Sequence, residues 1–203
     1  MLILCNGYPP PEQLLREYRA NADYFIAADG GGNIALKYDL KPDVVIGDMD
    51  SFERTEKPDL EIIRRPDQET NDLEKALQLA QQKQATDVHI LGATGMRLDH
   101  TLKNLSVLKQ FHHQFDILRM RDAFGEIRLL ESPFREEFPI GTTLSLFPLS
   151  GAVTEITTSG LKYALSGEMI KNGVRDGSSN KVVENPVHIT FEDGDLLLFE
   201  ARQ

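Results

Sequence analysis

The sequence predicts two parts of different class: a mainly parallel, three-layer α/β domain over residues 1–122, then a small β-sandwich over residues 123–203. Three observations carry this. Short apolar runs alternate with helical patterns up to about residue 122. Beyond it the runs become brief, and Gly151, Gly160, Gly167, Gly173, Gly177 and Gly194 separate them at all-β spacing. The helical stripes of the first part have no counterpart in the second.

Taken in order, residues 1–4, 24–28, 44–46, 88–91 and 115–118 read as buried strands. A short helical pattern follows Asn33. Leu73, Ala76, Leu77 and Ala80 fall at i, i+3, i+4 and i+7 and predict a helix, and Leu102, Leu105, Leu108 and Phe111 form a second stripe. In the second part, residues 143–147, 153–157, 187–191 and 196–199 read as strands. The join at residues 122–125 has no long flexible linker, so the two parts are expected to pack together. Internal repeats and low-complexity tracts are absent from the sequence.

A chain of 203 residues with 40% hydrophobic and 27% charged side chains fits a soluble globular protein able to bury a core. The net charge of −10 argues against nucleic acid or an anionic membrane as the main partner, because binding phosphate polymers needs clustered Lys and Arg. A small anionic ligand would need a metal to offset that field. The single cysteine excludes an intramolecular disulfide and fits a reducing compartment. Cys5 ends an apolar run and reads as a buried strand residue. Uninterrupted apolar stretches stay well short of the roughly 18 residues of a membrane span, and the N-terminus lacks a basic region followed by an apolar one. The expected location is the cytoplasm.

The candidate chemistry lies at strand ends, where open α/β sheets bind ligands. Asp29-Gly30-Gly31-Gly32-Asn33 follows the strand at 24–28, so its backbone N–H groups could face a phosphate; a tight strand-to-helix turn needing positive φ would call for the same glycines. The run matches neither the P-loop nor the Rossmann fingerprint. Gly47-Asp48-Met49-Asp50-Ser51 follows the strand at 44–46. Alternate residues of an extended segment point the same way, so Asp48 and Asp50 can offer two carboxylates to one cation, although a solvated acidic loop would look similar. Residues 67–72, Asp-Gln-Glu-Thr-Asn-Asp, open a helix whose Asn71 and Glu74 form a candidate capping box, with Asp72 in its first turn. Capping leaves the density of acids and amides there unexplained. Residues 92–100, Gly-Ala-Thr-Gly-Met-Arg-Leu-Asp-His, add another glycine-containing strand-to-helix junction, with Arg97 able to grip phosphate oxygens. Asp99 and His100 also suit an ordinary helix start.

These motifs, with Asn104, together resemble thiamine pyrophosphokinase. The similarity continues through Thr158-Ser159-Gly160-Leu161-Lys162-Tyr163 and Ser179-Asn180 and covers nearly the whole chain. The resemblance implies an α/β catalytic domain followed by a thiamine-binding β-sandwich, and a homodimer whose thiamine sites lie between subunits. It also implies a reaction in which thiamine and ATP give thiamine diphosphate and AMP, with Mg²⁺. Carried over by position, Asp48, Asp50 and Asp72 would bind magnesium. Asp29, Gly30, Gly31, Gly32, Asn33, Ser51, Gln68, Arg97, His100 and Asn104 would shape the nucleotide and phosphate site. Asp99 would sit near the reacting groups, and Ser179 and Asn180 would belong to the thiamine end. The sequence departs from the family pattern at Met96, where a second glycine is common, at Lys181, where an acid is common, and at Asn71, often threonine.

Two other readings share these residues: a pyrophosphokinase acting on another hydroxymethyl heterocycle such as a pterin, and a non-catalytic thiamine or nucleotide sensor. A metal-dependent phosphohydrolase is a third, distinguished by releasing inorganic phosphate where the kinase releases AMP.

Overall fold

A computed structural model describes residues 1–53 and 60–202 of the chain; Gln203, the last residue of the expected sandwich, lies outside them. The chain divides into two compact units, Met1–Ala123 and Phe124–Gln203.

The first unit is built on parallel strands. β1 (Leu2–Leu4), β2 (Phe25–Ala28), β3 (Val44–Gly47), β4 (Glu61–Arg64), β5 (Asp87–Leu91) and β6 (Ile117–Arg121) lie in the order β6-β5-β1-β2-β3-β4, and all five pairings are parallel. The central strands are apolar on both faces, as expected when helices cover both sides. On one face Leu2, Leu4, Phe25 and Leu91 pack with Leu14 and Leu15 of α1 (Glu12–Ala20) and Ala35 of α2 (Gly31–Lys37). Ile3, Ile26, Ile46 and Ile90 on the alternate positions are fully buried as well. α3 (Asp72–Gln82) packs against β2 and β3, and α4 (Leu98–Phe111) against α3 and β6.

Sequence periodicity missed two of these elements. α1 shows only Leu14, Leu15 and Tyr18 on one side of a charged segment, held by an Arg16–Glu12 ion pair at i, i+4. β4 is an edge strand without a fully buried residue, so its sequence lacks an apolar run. The α4 stripe also shifts. Its buried residues are Asn104, Val107, Leu108 and Phe111, while Leu102 is 56% exposed. The last strand begins at Ile117 and not at Phe115, because a 3₁₀ turn at His112–Gln114 delays it.

The second unit has two antiparallel sheets. One runs β12 (Gly177–Lys181), β9 (Thr143–Pro148), β14 (Leu196–Ala201), β7 (Gly125–Leu129); the other runs β11 (Glu168–Ile170), β10 (Val153–Ser159), β13 (Val187–Thr190), β8 (Phe134–Glu136). Leu144, Leu146, Val153, Ile156, Ile170, Val187, Ile189, Leu196 and Leu198 from both sheets share one core, which makes the unit a sandwich. β7 hid in the sequence because Glu126 and Arg128 are buried in it and break the apolar alternation. β12 hid because Gly-Ser-Ser-Asn-Lys reads as a turn.

Candidate active site

In the first unit the chain moves from β1 through β2 and β3 to β4 on one side, and β5 and β6 lie on the other. That order puts a topological switch point between β1 and β5, where the connections leave in opposite directions and open a crevice beyond the strand ends. A cavity of about 580 Å³ lies there, lined by Cys5, Asn6 and Gly7 after β1, Ala28 and Asp29 after β2, Asp48, Asp50 and Ser51 after β3, residues 68–73 with Lys75, and Ala93, Gly95, Met96, Arg97, His100, Lys103 and Asn104. Its volume is typical of small-molecule sites.

The acidic loop after β3 is held from the turn that follows β2 and from the first residues of α2. Asp29, 2% exposed and at φ +43°, accepts the N–H of Ser51 on one oxygen (3.0 Å) and that of Phe52 on the other (3.2 Å). Asn33 accepts the N–H of Glu53 at 3.0 Å and donates to the Ser51 carbonyl at 2.8 Å. Within the loop, Asp48 accepts the N–H of Asp50 (3.1 Å) and the Gln68 side chain (3.1 Å), and Asp50 accepts the Ser51 hydroxyl (2.8 Å). Carboxylate oxygens of Asp29, Asp48 and Asp50 lie within 4.8 Å of one another. Asp72 is close by: a Cβ built on Gly47 would stand 2.8 Å from Asp29 Cβ and 3.0 Å from Asp72 Oδ1.

Electrostatics divides these acids. Burial, then the neighbouring charge of Asp72, raises the carboxyl of Asp29 above the usual carboxylate range. Burial also raises Asp72, with Lys75 opposing the rise. The Gln68 hydrogen bond holds Asp48 low. Carboxylates crowded in this way repel unless a cation lies among them, and an all-oxygen donor set suits a hard divalent ion. The residues therefore fit magnesium, with Asp29 joining the expected pair Asp48 and Asp50 in the tight group and Asp72 beside it.

A dependence of stability on pH follows from the two raised acids. Their contribution is complete below the ordinary carboxyl value of 3.8 and is lost as pH rises through their raised values, since between those values the folded chain binds more protons than the unfolded one. In chelator these two groups should therefore add to thermal stability as pH falls toward 3.8, and saturating Mg²⁺ should flatten that dependence. A slope indifferent to the cation would assign the titration elsewhere.

The helix starts complete the frame. Asn71 and Glu74 form the expected capping box, with both hydrogen bonds at 2.9 Å. Lys103 reaches the buried Glu74 at 3.0 Å. Asn104, also buried, accepts from the Asn71 side chain at 3.0 Å and donates to the Ala93 carbonyl at 2.7 Å, so one amide ties the start of α3 to the loop after β5.

Several expected site residues take other positions. Among the described residues, Gly30, Gly31, Gly32, Asn33 and Asp99 do not line the cavity. The glycines answer to close packing: a Cβ on Gly30 would meet the Asn6 side chain at 2.3 Å, one on Gly31 the Leu4 carbonyl oxygen at 2.1 Å, and one on Gly32 the Phe52 ring at 2.6 Å. The Gly32 and Asn33 N–H groups are already bonded to the carbonyls of Asp29 and Gly30. Arg97 donates to both oxygens of Asp99 at 3.1 and 2.6 Å, which holds Asp99 low and turns the guanidinium to its neighbour. Cys5 lines the cavity, but burial pushes its thiol up to about 12, so it stays neutral. In the second unit, Asn180 spends its amide on the Tyr163 backbone, accepting at 3.0 Å and donating at 2.7 Å, while the Ser179 N–H, at φ +57°, donates to Ser145 Oγ. Sequence reading passed over Lys75 and Lys103. The i, i+3 spacing of Asp72 and Lys75 was the available signal for the first.

The Asp29 anchor is directly testable. Asp29→Ala leaves two N–H groups of a partly buried loop without acceptors and should cost about 2 kcal/mol in urea unfolding, whereas Asp29→Asn keeps one acceptor and should lose less. Equal losses in the two variants would mean that the charge, and not the acceptor geometry, holds the loop.

Residues 15–118 match the family model described as thiamin pyrophosphokinase, catalytic domain, and residues 132–196 the one described as thiamin pyrophosphokinase, vitamin B1 binding domain. The chain is 30% identical over 229 residues to thiamine pyrophosphokinase 1 of Arabidopsis thaliana, covering 97% of this chain and 84% of that protein. A crystal structure of thiamine pyrophosphokinase from Bacillus subtilis matches with a TM-score of 0.83 at 26% identity, covering 100% of this chain and 98% of that one. Thiamin pyrophosphokinase from Candida albicans, at 18% identity, shares the fold with a TM-score of 0.87, covering 100% of this chain and 90% of the other. Among the described residues no helix is long and apolar enough to cross a membrane.

Proposed function

Because the chain belongs to the thiamine pyrophosphokinase family, we propose that the cavity at the strand ends of its first unit is where pyrophosphate passes from ATP to the hydroxyl of thiamine. The observation that carries this reading is the carboxylate group of Asp29, Asp48 and Asp50 beside Asp72 at the switch point of a parallel sheet. Family membership sets aside the pterin and sensor readings.

The thiamine oxygen forms a bond to the β-phosphorus of ATP, the bridging bond from that phosphorus to the α-phosphate oxygen breaks, and AMP leaves. Asp48, Asp50 and Asp72, with Asp29, would hold Mg²⁺, which supplies charge neutralisation to the polyphosphate when bound. Gln68 fixes the Asp48 carboxylate, while Asp29 and Asn33 fix the loop, so the acids are oriented before substrate arrives. For the hydroxyl proton, Asp72 and Asp99 are the two carboxylate candidates; Arg97 holds Asp99 low, and Asp72 can take the proton only through an oxygen that does not ligate the ion. Asp99 then serves to orient Arg97 toward its working position. Ser51, His100 and Asn104 line the same cavity and complete the nucleotide side. Gly30, Gly31 and Gly32 contribute by letting α2 start close to β1.

Residues 1–122 form the catalytic part in this reading and residues 123–203 the thiamine-binding part, supported by the descriptions of the two family models. Ser179 and Asn180 act there by shaping the strand and the Tyr163 loop. The reading includes a homodimer with shared sites and a cytoplasmic setting, with the lone buried thiol and the charge of −10 in keeping. Incubation with thiamine, ATP and Mg²⁺ should yield AMP and thiamine diphosphate in equal amounts. AMP formed without thiamine, or inorganic phosphate in its place, would refute the assignment.

A further inference from the structure

Lys75 is the fourth residue of α3, and its side chain is 2% exposed, ranking with Phe25 and Ile3 among the largest fully buried side chains. Its ammonium reaches the cavity lining and stands 3.3 Å from Asp72 Oδ1. Burying an ammonium costs several kcal/mol unless it is strongly paired. This single contact is longer than a strong charge-assisted bond, and Asp72 is itself one-third exposed. Apart from Glu74, which pairs with Lys103, the buried positions beside it on α3 are apolar, namely Leu73, Ala76, Leu77 and Ala80, so methionine would fill the same space without that cost. Packing gives no reason for a charge here. The acids do: Lys75 touches Asp72 and its charge acts on Asp48, and both belong with Asp29 and Asp50 to the carboxylate group of the cavity.

We propose that Lys75 is a positioning residue of the transfer site, a buried fixed cation that holds Asp72 and moderates the pull of the acids on the divalent ion. With two claimants for the Asp72 oxygen, the ion binds less tightly than four carboxylates alone would hold it. The same positive charge lowers the repulsion met by an incoming polyphosphate. Removing it therefore moves two affinities in opposite directions: the metal binds more tightly and the nucleotide more weakly. A residue that merely fills space would move neither. This inference rests on the proposed transfer reaction for its second half only.

The test compares full-length wild type, Lys75→Met and Lys75→Arg. Free Mn²⁺ is titrated by electron paramagnetic resonance without nucleotide, and the KM for Mg-ATP is then measured in turnover. Lys75→Met should bind Mn²⁺ about tenfold more tightly and show an Mg-ATP KM raised by about tenfold, and Lys75→Arg should restore both to within about threefold of wild type. Unchanged or weaker Mn²⁺ binding in folded Lys75→Met, or failure of Lys75→Arg to restore it, overturns the proposal. Lys75→Gln replaces Lys75→Met in the comparison if circular dichroism shows the latter unfolded. Absence of AMP formation by wild type would sink the transfer reading, and the Mn²⁺ comparison would still decide the role of Lys75.

Discussion

Asp48→Asn and Asp50→Asn should each lower thiamine-dependent AMP release by about a thousandfold or more, with the melting temperature within about 2 °C of wild type. The separation of the two effects follows from how the side chains are held. Asn in place of Asp48 keeps an oxygen for the N–H of Asp50, and the Gln68 amide can turn its own oxygen toward the new NH₂. Asp50 is exposed and bonded to the Ser51 hydroxyl, a contact that an asparagine oxygen also accepts. What disappears in either variant is one negative charge at the tight carboxylate group. Near-normal AMP release by either protein at saturating Mg-ATP would remove these acids from the mechanism.

Gly31→Ala should damage the fold itself, by about 3 kcal/mol or more. The added methyl would stand 2.1 Å from the carbonyl oxygen of Leu4, inside any permissible contact. Neither side can give way easily. Leu4 belongs to the central strand β1, registered against Ala27 on one side and Leu91 on the other, and Gly31 opens α2 two residues after the buried Asp29. A shift of α2 would also drag Asp29 and Asn33 from the loop they hold, so activity should fall with stability. The urea midpoint reports the first loss and AMP release the second. A variant within about 1 kcal/mol of wild type would show that α2 can slide over the sheet at little cost.

The glycine run illustrates what sequence could and could not show. Asp29-Gly-Gly-Gly-Asn at a strand end is legible as a place where something must come close, but a phosphate and a neighbouring backbone ask for the same residues. The position of the Leu4 carbonyl shows that the backbone alone already requires a glycine at residue 31. The parallel core was legible because its strands are apolar on both faces, and α3 because Asn71 and Glu74 announce its start. The strands of the sandwich were legible where they alternate, as in β9 and β14, and not where buried charges or a run of serines replace that alternation, as in β7 and β12. At the site, Asp48 and Asp50 were visible as a pair two residues apart. The closeness of Asp29 was not, because it depends on the parallel register of β2 and β3. The pairing of Arg97 with Asp99 escaped for a related reason: both residues suit a phosphate site, and only geometry shows that they face each other.

The hold of Asp29 and Asn33 on the loop after β3 also bears on whether the acidic motif is portable. Residues 47–51 look like a cassette that could be grafted onto any parallel strand. Yet their backbone is gripped by two side chains from the preceding crossover, and one of their carboxylates by Gln68 from a third segment. A designer transplanting the motif would have to carry three separated pieces of chain and the spacing between two strands along with it. The minimal heritable unit of this site is a patch of tertiary structure, and five consecutive letters are only its most visible part.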